Sequence, residues 1–322
     1  MRLALSLTLI LSCGLALAGS LNPPGPPAPT MKPLDQVEAR TPISSLPFTI
    51  STAGSYYLTK NLTLASGDGI AVFASFTTID LNGFTLDGGG GTTGYGIHVF
   101  GSAEAITLRN GTISHWIDGI HGNTGESVQL DGVTVRSCVN NGVFVTDASV
   151  RDCNFLFNGA DGVFIGGVGS ISDSRAGGNG GTGMNLSGPR GLIVNCTIDG
   201  NGGSGVLLGQ SGMIRTSIIS NNVGIGIDSG NNTFVVKNNL YNNYVGIALS
   251  SNSGGGCRIE GNTLADDANF DVEVHTNYNA IIKNSFHTNG FAFFVSGVGN
   301  LRPLQSPSQI PTNPWLNLFC CY

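Results

Sequence analysis

Short apolar runs of three to five residues recur along the chain, and glycine, asparagine, aspartate and serine separate them. One such unit is Gly162-Val163-Phe164-Ile165, followed by Ser170-Ile171. No window carries a sustained apolar stripe with a 3.6-residue period, and glycine is too frequent for helix interiors. The pattern therefore predicts many short β-strands joined by tight turns.

Two marks repeat along the chain at a nearly constant spacing. The first is a glycine followed by an apolar residue, at intervals of 20 to 27 residues: Gly69, Gly96, Gly119, Gly142, Gly162, Gly183, Gly205, Gly226 and Gly246. The second is a small polar residue after an apolar-rich stretch, at intervals of 21 to 28 residues: Asn82, Asn110, Asp131, Cys153, Ser174, Cys196, Ser217, Asn238, Asn262 and Asn284. Two independent marks that share one period indicate a structural repeat.

Copies of such short strands, stacked on one another, form a parallel sheet over a continuous core. The repeat therefore predicts an all-β fold, a single-stranded right-handed parallel β-helix (solenoid) with one coil per repeat. The coils rise by about 4.8 Å each, and the positions of the second mark indicate about ten or more of them. The right hand follows from the usual sense of parallel crossovers. A leucine-rich repeat of similar period would need a leucine-rich consensus with a helical side, which the chain lacks.

Asparagine follows the same register. Five asparagines each precede a repeat glycine by four residues: Asn158, Asn179, Asn201, Asn222 and Asn242. Amides stacked at one turn can hydrogen-bond along the rod, and asparagine tolerates the left-handed backbone of such turns. We therefore interpret these residues as a scaffold ladder rather than as a polar binding site.

Two cysteines occupy the second mark. Cys153 and Cys196 lie two coils apart, which places them about 9.6 Å from one another, too far for a disulfide. We predict that both are small interior-facing residues. No spacing typical of a zinc site occurs. Near the C-terminus, Cys320 and Cys321 would form a strained vicinal disulfide, so free or intermolecular thiols are equally expected.

Several segments of the chain are similar to segments of a known group of proteins: Leu46–Leu58, Asn61–Thr63, Ile79–Phe84, Ile106–Ile113 and Asn313–Trp315. With these segments the chain resembles the bacterial secreted proteins with right-handed parallel β-helix repeats, in the pectate-lyase-like superfamily. This superfamily contains lyases, hydrolases, epimerases and adhesins, so the resemblance implies the fold and leaves the function open. A narrower similarity, to the periplasmic copper-maturation β-helix proteins, rests on His98 and His121 alone.

The N-terminal residues 1–18 have the pattern of a signal peptide. Arg2 precedes an apolar run that ends in a small-x-small site at Ala18, and the run is shorter than the roughly 20 residues that span a bilayer. We expect cleavage after Ala18; a retained anchor or lipidation at Cys13 are the alternatives. The protein is then bacterial and secreted, periplasmic or attached to the cell surface, with no transmembrane segment once the signal is removed.

The rest of the chain divides by composition. Residues 19–33 form a proline-rich linker, residues 34–300 form the β-helix with its N-terminal cap, and residues 301–322 form a proline-rich tail. Because prolines lack the N–H that a β-ladder needs, we expect 301–314 not to continue the ladder. Trp315 and Phe319 are expected to pack on the last coil or on one sheet.

Composition excludes several classes of protein. The 49 glycines lack the three-residue period of collagen, and a hydrophobic content of 40% argues against disorder. Charged residues, at 11%, are too sparse for a coiled coil. With 14 basic and 20 acidic residues, a net charge of −6 and no basic cluster, the sequence does not favour a nucleic-acid partner.

Strand alternation directs the residue after each repeat glycine inward and the next one outward. The outward positions form one stripe, in which neighbours lie about 4.8 Å apart: His98, His121, Phe144, Phe164, Asn185, Leu207, Asp228 and Ala248. Phe144, Phe164 and Asn185 are the candidate substrate-binding residues, because aromatic faces can stack on sugar rings. We favour the other interpretation of the two phenylalanines, in which the C-terminal tail covers them.

His98 and His121 are the sharpest chemical candidates. Their imidazoles could bind a divalent cation, and Asp118, His121 and Arg136 are the candidate catalytic residues of a divergent polysaccharide-cleaving site. The simpler alternative is two solvated histidines on a sheet. No cofactor other than such a cation is indicated.

Arginines could form an outward basic row facing uronate carboxylates: Arg109, Arg151 and Arg215. Ordinary surface pairing with nearby acidic residues is the interpretation we prefer. The sequence also lacks the ordered polygalacturonase motifs and the Asp-Pro-His of alginate epimerases, which the resemblance would otherwise imply.

Three functions follow as hypotheses. The first is a secreted protein that binds an extracellular polysaccharide or cell-surface glycan without catalysis. The second is a divergent polysaccharide lyase or glycoside hydrolase, and the third is a periplasmic copper-delivery protein.

Overall fold

The computed structural model describes most of the chain in eight stretches: residues 39–90, 93–101, 103–122, 125–249, 254–287, 291–302, 304–305 and 316–319. The chain separates into Met1–Ala39 and Arg40–Tyr322, and the fold below belongs to the second unit. The predicted signal peptide, the linker and the C-terminal cysteine pair lie outside the described residues.

All the regular structure in these stretches is β-strand, and none of them holds a helix, so none holds an apolar helix of membrane-spanning length. The strands follow one another along the chain: β1 Thr41–Ile43, β2 Phe48–Ile50, β3 Gly54–Leu58, β4 Leu62–Thr63, β5 Ile70–Val72, β6 Thr77–Asp80, β7 Thr85–Asp87, β8 Ile97–Val99, β9 Ile106–Ser114, β10 Ile120–Gly122, β11 Ser127–Arg136, β12 Val143–Val145, β13 Asp147–Arg151, β14 Asn154–Leu156, β15 Val163–Ile165, β16 Gly169–Ser172, β17 Arg175–Gly177, β18 Met184–Leu186, β19 Leu192–Val194, β20 Thr197–Asp199, β21 Val206–Leu208, β22 Met213–Arg215, β23 Ile218–Ser220, β24 Ile225–Ser229, β25 Phe234–Val236, β26 Asn239–Tyr241, β27 Val245–Leu249, β28 Arg258–Glu260, β29 Thr263–Ala265, β30 Phe270–Val274, β31 Ala280–Ile282, β32 Ser285–His287, β33 Phe291–Val295, β34 Leu304–Gln305 and β35 Asn317–Phe319.

Within the described residues these strands form two parallel sheets, one of 12 strands and one of 23. The smaller sheet takes one strand from each coil, in the order β2, β5, β8, β10, β12, β15, β18, β21, β24, β27, β30 and β33. The larger sheet consists of two columns of strands that merge where the long strands β9 and β11 run through both. Each coil therefore crosses the smaller sheet once and the larger sheet twice, which confirms the predicted parallel β-helix.

The core runs along the inside of the coils. The residue after each repeat glycine is buried there, as predicted: Ile70, Ile97, Ile120, Val143, Val163, Met184, Val206, Ile227 and Ile247. Near the N-terminal end Trp116 is fully buried, and its indole Nε1 donates a hydrogen bond of 3.1 Å to the backbone carbonyl of Leu86. Apolar burial along the whole rod supplies the main stabilisation of the fold.

Close stacking explains why glycine recurs at the first mark. A Cβ built on Gly162 would lie 2.5 Å from the carbonyl oxygen of Gly183 and 2.8 Å from Nδ2 of Asn179. A Cβ on Gly205 would lie 2.7 Å from the carbonyl oxygen of Gly226. No side chain fits at these positions, because the next coil already occupies the space.

The predicted asparagine ladder is present, with one change of residue. The side-chain amides of Asn158, Asn179 and Asn201 each donate a 2.9 Å bond to the amide oxygen one coil further on, and Asn222 does the same to Asn243. The prediction of Asn242 was wrong: this residue has a φ of 57° and is exposed. Its coil has a turn one residue shorter, so counting back four residues from the glycine misses the ladder position.

A second ladder follows the other polar mark, at the bend between the two columns of the larger sheet. The hydroxyl of Ser174 accepts from the backbone N–H of Cys153, and that of Ser217 accepts from Cys196. Beyond them the acceptors are asparagines, each bonded to the preceding member: Asn238, Asn262, Asn284 and Asn317.

The cysteines of the described stretches are buried and free, as expected for Cys153 and Cys196. Burial raises the pKa of both thiols to about 11 and the pKa of Cys138 to about 12. Buried protonated thiols behave as small apolar residues, so these cysteines are structural.

The C-terminal segment differs in part from the prediction. Leu301 forms a parallel bridge with Ala280, and β34 pairs with β35, so the chain continues the ladder at non-proline positions of 301–314. Strand β35 pairs with β32, which places Phe319 in register with Phe286 on the last coil of the larger sheet. Trp315 lies outside the described residues.

Candidate functional site

The outward stripe on the smaller sheet has the predicted register. Successive strands pair His98 with His121, His121 with Phe144, and Phe144 with Phe164. The pairing then continues in the same column through Asn185, Leu207, Asp228 and Ala248 to Glu273 and Phe294. The prediction that these side chains line one face is confirmed, while their functional roles remain predictions.

Each histidine of the stripe is held by an aspartate. His98 Nδ1 lies 2.6 Å from Asp68 Oδ2, and His121 Nδ1 lies 2.7 Å from Asp118 Oδ2. The other oxygen of Asp118 accepts the backbone N–H of Asn141 at 2.8 Å, which fixes the carboxylate in the turn. An aspartate at Nδ1 orients the ring and favours the tautomer in which Nε2 accepts a proton.

Tyr95, which was not among the candidates predicted from the sequence, completes this group. Its ring stacks on His121 with centroids 3.9 Å apart and meets the edge of His98 at 4.8 Å. Partial burial, with the Asp118 and Asp68 carboxylates, raises the pKa of the Tyr95 phenol. The phenol therefore stays protonated at neutral pH and can donate a hydrogen bond or a proton.

These rings belong to a longer aromatic column, defined here as Phe73, Phe100, His98, Tyr95, His121, Phe144 and Phe164. The phenylalanines at its two ends stack in pairs, with centroids 4.4 Å apart for Phe73 and Phe100 and 4.7 Å for Phe144 and Phe164. The ring centroids of His98 and Phe100 are 3.6 Å apart, and those of His121 and Phe144 are 5.3 Å apart. The column is therefore continuous over five coils. The rings present a ridge along the rod axis.

The members of the column differ in access. Phe73 is 54% exposed, Phe144 and Phe164 are half-buried, and His98 is only 8% exposed. His98 Nε2 is buried, and no described residue provides a hydrogen-bond partner for it. His121 is the more accessible of the two imidazoles, so acid–base chemistry on a bound molecule would fall to His121 and Tyr95.

Beyond Phe164 the stripe alternates between polar and apolar side chains. Asn185 is buried, and its amide donates a 2.8 Å bond to Asp161 Oδ2. Asp161 thus holds Asn185 as Asp68 holds His98, because both aspartates immediately precede a repeat glycine. Asp228, further along, lines a shallow depression with Leu207.

The arginines lie elsewhere. Arg136, a candidate catalytic residue, is exposed on β11 of the larger sheet, whereas His121 and Asp118 belong to the smaller sheet and the turn before it. Arg151 forms an exposed ion pair with Asp131 at 2.9 Å, as expected for ordinary surface pairing, which contributes little to stability. Arg109 pairs at 3.1 Å with Asp80, a buried carboxylate that Arg40 also contacts at 3.1 Å.

A metal site has no geometric support in the parts of the chain that the structure describes. No three histidine, cysteine, aspartate or glutamate side chains there are grouped so that they could hold a metal ion. His98 and His121 approach each other edge to face, with centroids 5.4 Å apart, and each is already paired with an aspartate through Nδ1.

Tyr95 and Asp68 are the members of the site that sequence reasoning missed. A signal was available, because Asp68, Tyr95, Asp118 and Asp161 each stand directly before a repeat glycine. These positions stack at the edge of the smaller sheet, where their side chains reach the outward stripe.

Comparison with known proteins agrees with this architecture. A family profile described as a right handed beta helix region matches residues 118–264, which include most of the stripe. A search of curated proteins gives no match.

Several solved structures share the fold. The A-module of Azotobacter vinelandii mannuronan C-5 epimerase AlgE6 superposes with a TM-score of 0.64 and 15% identity, covering 81% of this chain and 89% of that one. The catalytic domain of a GH87 α-1,3-glucanase gives 0.51 and 12%, covering 80% and 64%, and pectate lyase Pel9A gives 0.50 and 15%, covering 76% and 70%. The fold is the right-handed parallel β-helix, and at such identities the likeness to these three proteins extends to the fold alone.

Proposed function

We propose that this protein binds an extracellular polysaccharide or cell-surface glycan along its smaller sheet, without catalysis. The aromatic column from Phe73 to Phe164 is the observation that carries this proposal. Most of these rings stack face to face on one another, so their edges form an apolar strip along one axis, and such a strip suits contact with a linear chain of sugars. The named activities of the structural relatives, on mannuronan, pectate and glucan, make a glycan partner plausible.

Location fits this proposal. The signal-peptide pattern in residues 1–18 is typical of bacterial proteins that are exported from the cytoplasm, and extracellular glycans lie outside the cell.

Tail residues 306–315, which could cover Phe144 and Phe164, lie outside the described residues. The described tail strand β35 pairs with β32, at the end of the larger sheet.

A screen on neutral and acidic polysaccharides, read for both binding and cleavage, tests the proposal. Depletion of the protein from solution by an insoluble glycan, with no release of product, is the expected result. Phe164→Ala should weaken the depletion at least fivefold. Equal depletion of this variant and of the unmodified protein would contradict the assignment of the column as the binding surface.

A second function is favoured by the group of Tyr95, His121 and Asp118. A neutral phenol stacked on an aspartate-held imidazole could transfer protons in a lyase or hydrolase reaction. New reducing ends, or unsaturated ends that absorb ultraviolet light, would identify this activity. His121→Ala should then abolish product formation while glycan binding persists. The proposal does not extend to copper delivery, because no observation among the described residues favours it.

A further inference from the structure

The fixed charges beside the aromatic column have one sign. Asp68, Asp118 and Asp161 lie along one edge of it, each in the position directly before a repeat glycine. Asp228 and Glu273 lie in the stripe itself, in register beyond Phe164, and both are partly exposed. Carboxylates therefore lie beside the aromatic column and continue beyond it along the same stripe.

The positive charges lie on the other side of the coils. Of the 14 lysines and arginines, Arg2 and Lys32 are outside the described residues. All the others lie on strands of the larger sheet or in the turns next to them: Arg40, Lys60, Arg109, Arg136, Arg151, Arg175, Arg190, Arg215, Lys237, Arg258, Lys283 and Arg302. The chain thus separates its basic residues from the aromatic column.

Protonation of the histidines does not reverse this charge. His98 and His121 each lie within 2.7 Å of an aspartate oxygen, so an imidazolium at either position is balanced by its own carboxylate. His275, further along the sheet, is paired in the same way with Glu273 at 2.8 Å. Each pair is neutral or negative in every protonation state in which its carboxylate is ionised.

We infer that the glycan bound along this stripe is uncharged, and that polyuronates are excluded by electrostatic repulsion. The inference rests on the proposed function and names its ligand class. A polyuronate carries a carboxylate on every sugar, and a sugar lying along the column would bring that charge within a Debye length, about 8 Å, of several protein carboxylates. The like charges of the stripe and of a polyuronate repel each other, and such repulsion is a common way for a binding site to exclude the wrong ligand.

Affinity electrophoresis of the full chain tests the ligand class. The gels contain a soluble neutral glycan (α-glucan, β-glucan or galactomannan) or a polyuronate (alginate or polygalacturonate), each with calcium and with a chelator. We expect retardation by at least one neutral glycan, nearly independent of salt, and at least tenfold weaker retardation by both polyuronates. Equal or stronger retardation by a polyuronate, with or without calcium, would overturn the inference. Retardation by no glycan would instead contradict the proposed function, and the inference with it.

A charge reversal shows whether the stripe itself excludes polyuronates. Asp228→Lys should increase retardation by polygalacturonate about tenfold at low salt, and the increase should disappear at high salt. The matched control is Asp152→Lys, which makes the same charge change on an exposed turn of the larger sheet. An equal gain in the control would mean that the net charge of the protein governs exclusion, and would overturn the assignment to the stripe.

Discussion

Asn243 donates two hydrogen bonds to a single oxygen of Asp267, from its backbone N–H at 2.8 Å and from its side-chain amide at 3.1 Å. Asp267 therefore ends the asparagine ladder with a carboxylate. Its Oδ2 is buried with no partner among the described residues, and so are both carboxylate oxygens of Asp271. Burial raises the pKa of Asp267 to about 7 and that of Asp271 to about 8.

The two buried aspartates should make a contribution to stability that is present at acidic pH and lost at alkaline pH. Their pKa is raised from 3.8 in the unfolded chain, so the native state binds more protons than the unfolded state between about pH 4 and 8. The contribution of these two groups is full below about pH 4 and is lost as the pH rises through the folded values. Asp267→Asn removes one of these groups and should raise the free energy of unfolding at pH 8, by on the order of a few kcal/mol.

Guanidinium unfolding at several pH values between 4 and 8.5 measures this effect. The decline of stability with pH should be smaller in Asp267→Asn than in the unmodified protein. Asp152→Asn, an exposed carboxylate, is the control and should leave the pH profile unchanged. Parallel profiles for Asp267→Asn and the unmodified protein would show that Asp267 titrates normally in the folded state.

Removal of one ladder amide should destabilise the coils on both sides of it. Asn179→Ala leaves the backbone and side-chain N–H groups of Asn158 without their acceptor, at roughly 1–3 kcal/mol for a buried unpaired group. Thermal unfolding followed by circular dichroism should show a clearly lower Tm. Asn239→Ala, at an exposed strand position, is the control. An equal Tm in the two variants would contradict the structural role of the ladder.

The buried thiols should be unreactive in the native protein. A variant in which serine replaces the cysteines outside the described residues keeps four, all buried and free: Cys138, Cys153, Cys196 and Cys257. Ellman's reagent at pH 8 should label none of them before unfolding and all four in guanidinium, because thiolate is the reactive form and the thiols are covered. Rapid labelling of the native variant would contradict their placement inside the coils.

The aromatic column should determine glycan affinity more than exposed aromatic surface elsewhere does. Phe144→Ala removes a ring stacked between His121 and Phe164, and should weaken binding of the glycan found in the screen about tenfold, or about 1.4 kcal/mol. The matched control is Phe234→Ala, which removes a 42% exposed ring from a strand of the larger sheet. Isothermal titration calorimetry of both variants measures their affinity for the glycan. An equal loss of affinity in the two variants would place the binding surface outside the column.

Periodicity was sufficient to predict the fold. Each coil is stabilised mainly by its neighbours, so the same inward and outward positions recur in every repeat and appear directly in the sequence. The register of the stripe from His98 to Ala248 followed from alternation alone. The error at Asn242 arose where one turn is shorter by a residue, since a fixed count cannot reveal a local deletion.

The site was predicted only in part. His98, His121 and Asp118 were recognised, because they occupy repeat positions with unusual residue types. Tyr95 was not, since its contact with His121 depends on the path of the chain at the turn before each strand. Arg136 was predicted together with them as a catalytic residue, but it lies on the larger sheet and not on the smaller one.

By itself the sequence determined the coil period, the inward core and the residues that share the outward stripe, because a parallel stack repeats one local geometry. Only the tertiary structure decided which aspartate holds which histidine, how Tyr95 enters the ring column, and where the asparagine ladder meets Asp267. These contacts join turns of different length in adjacent coils, and their distances depend on how each turn closes rather than on the repeat.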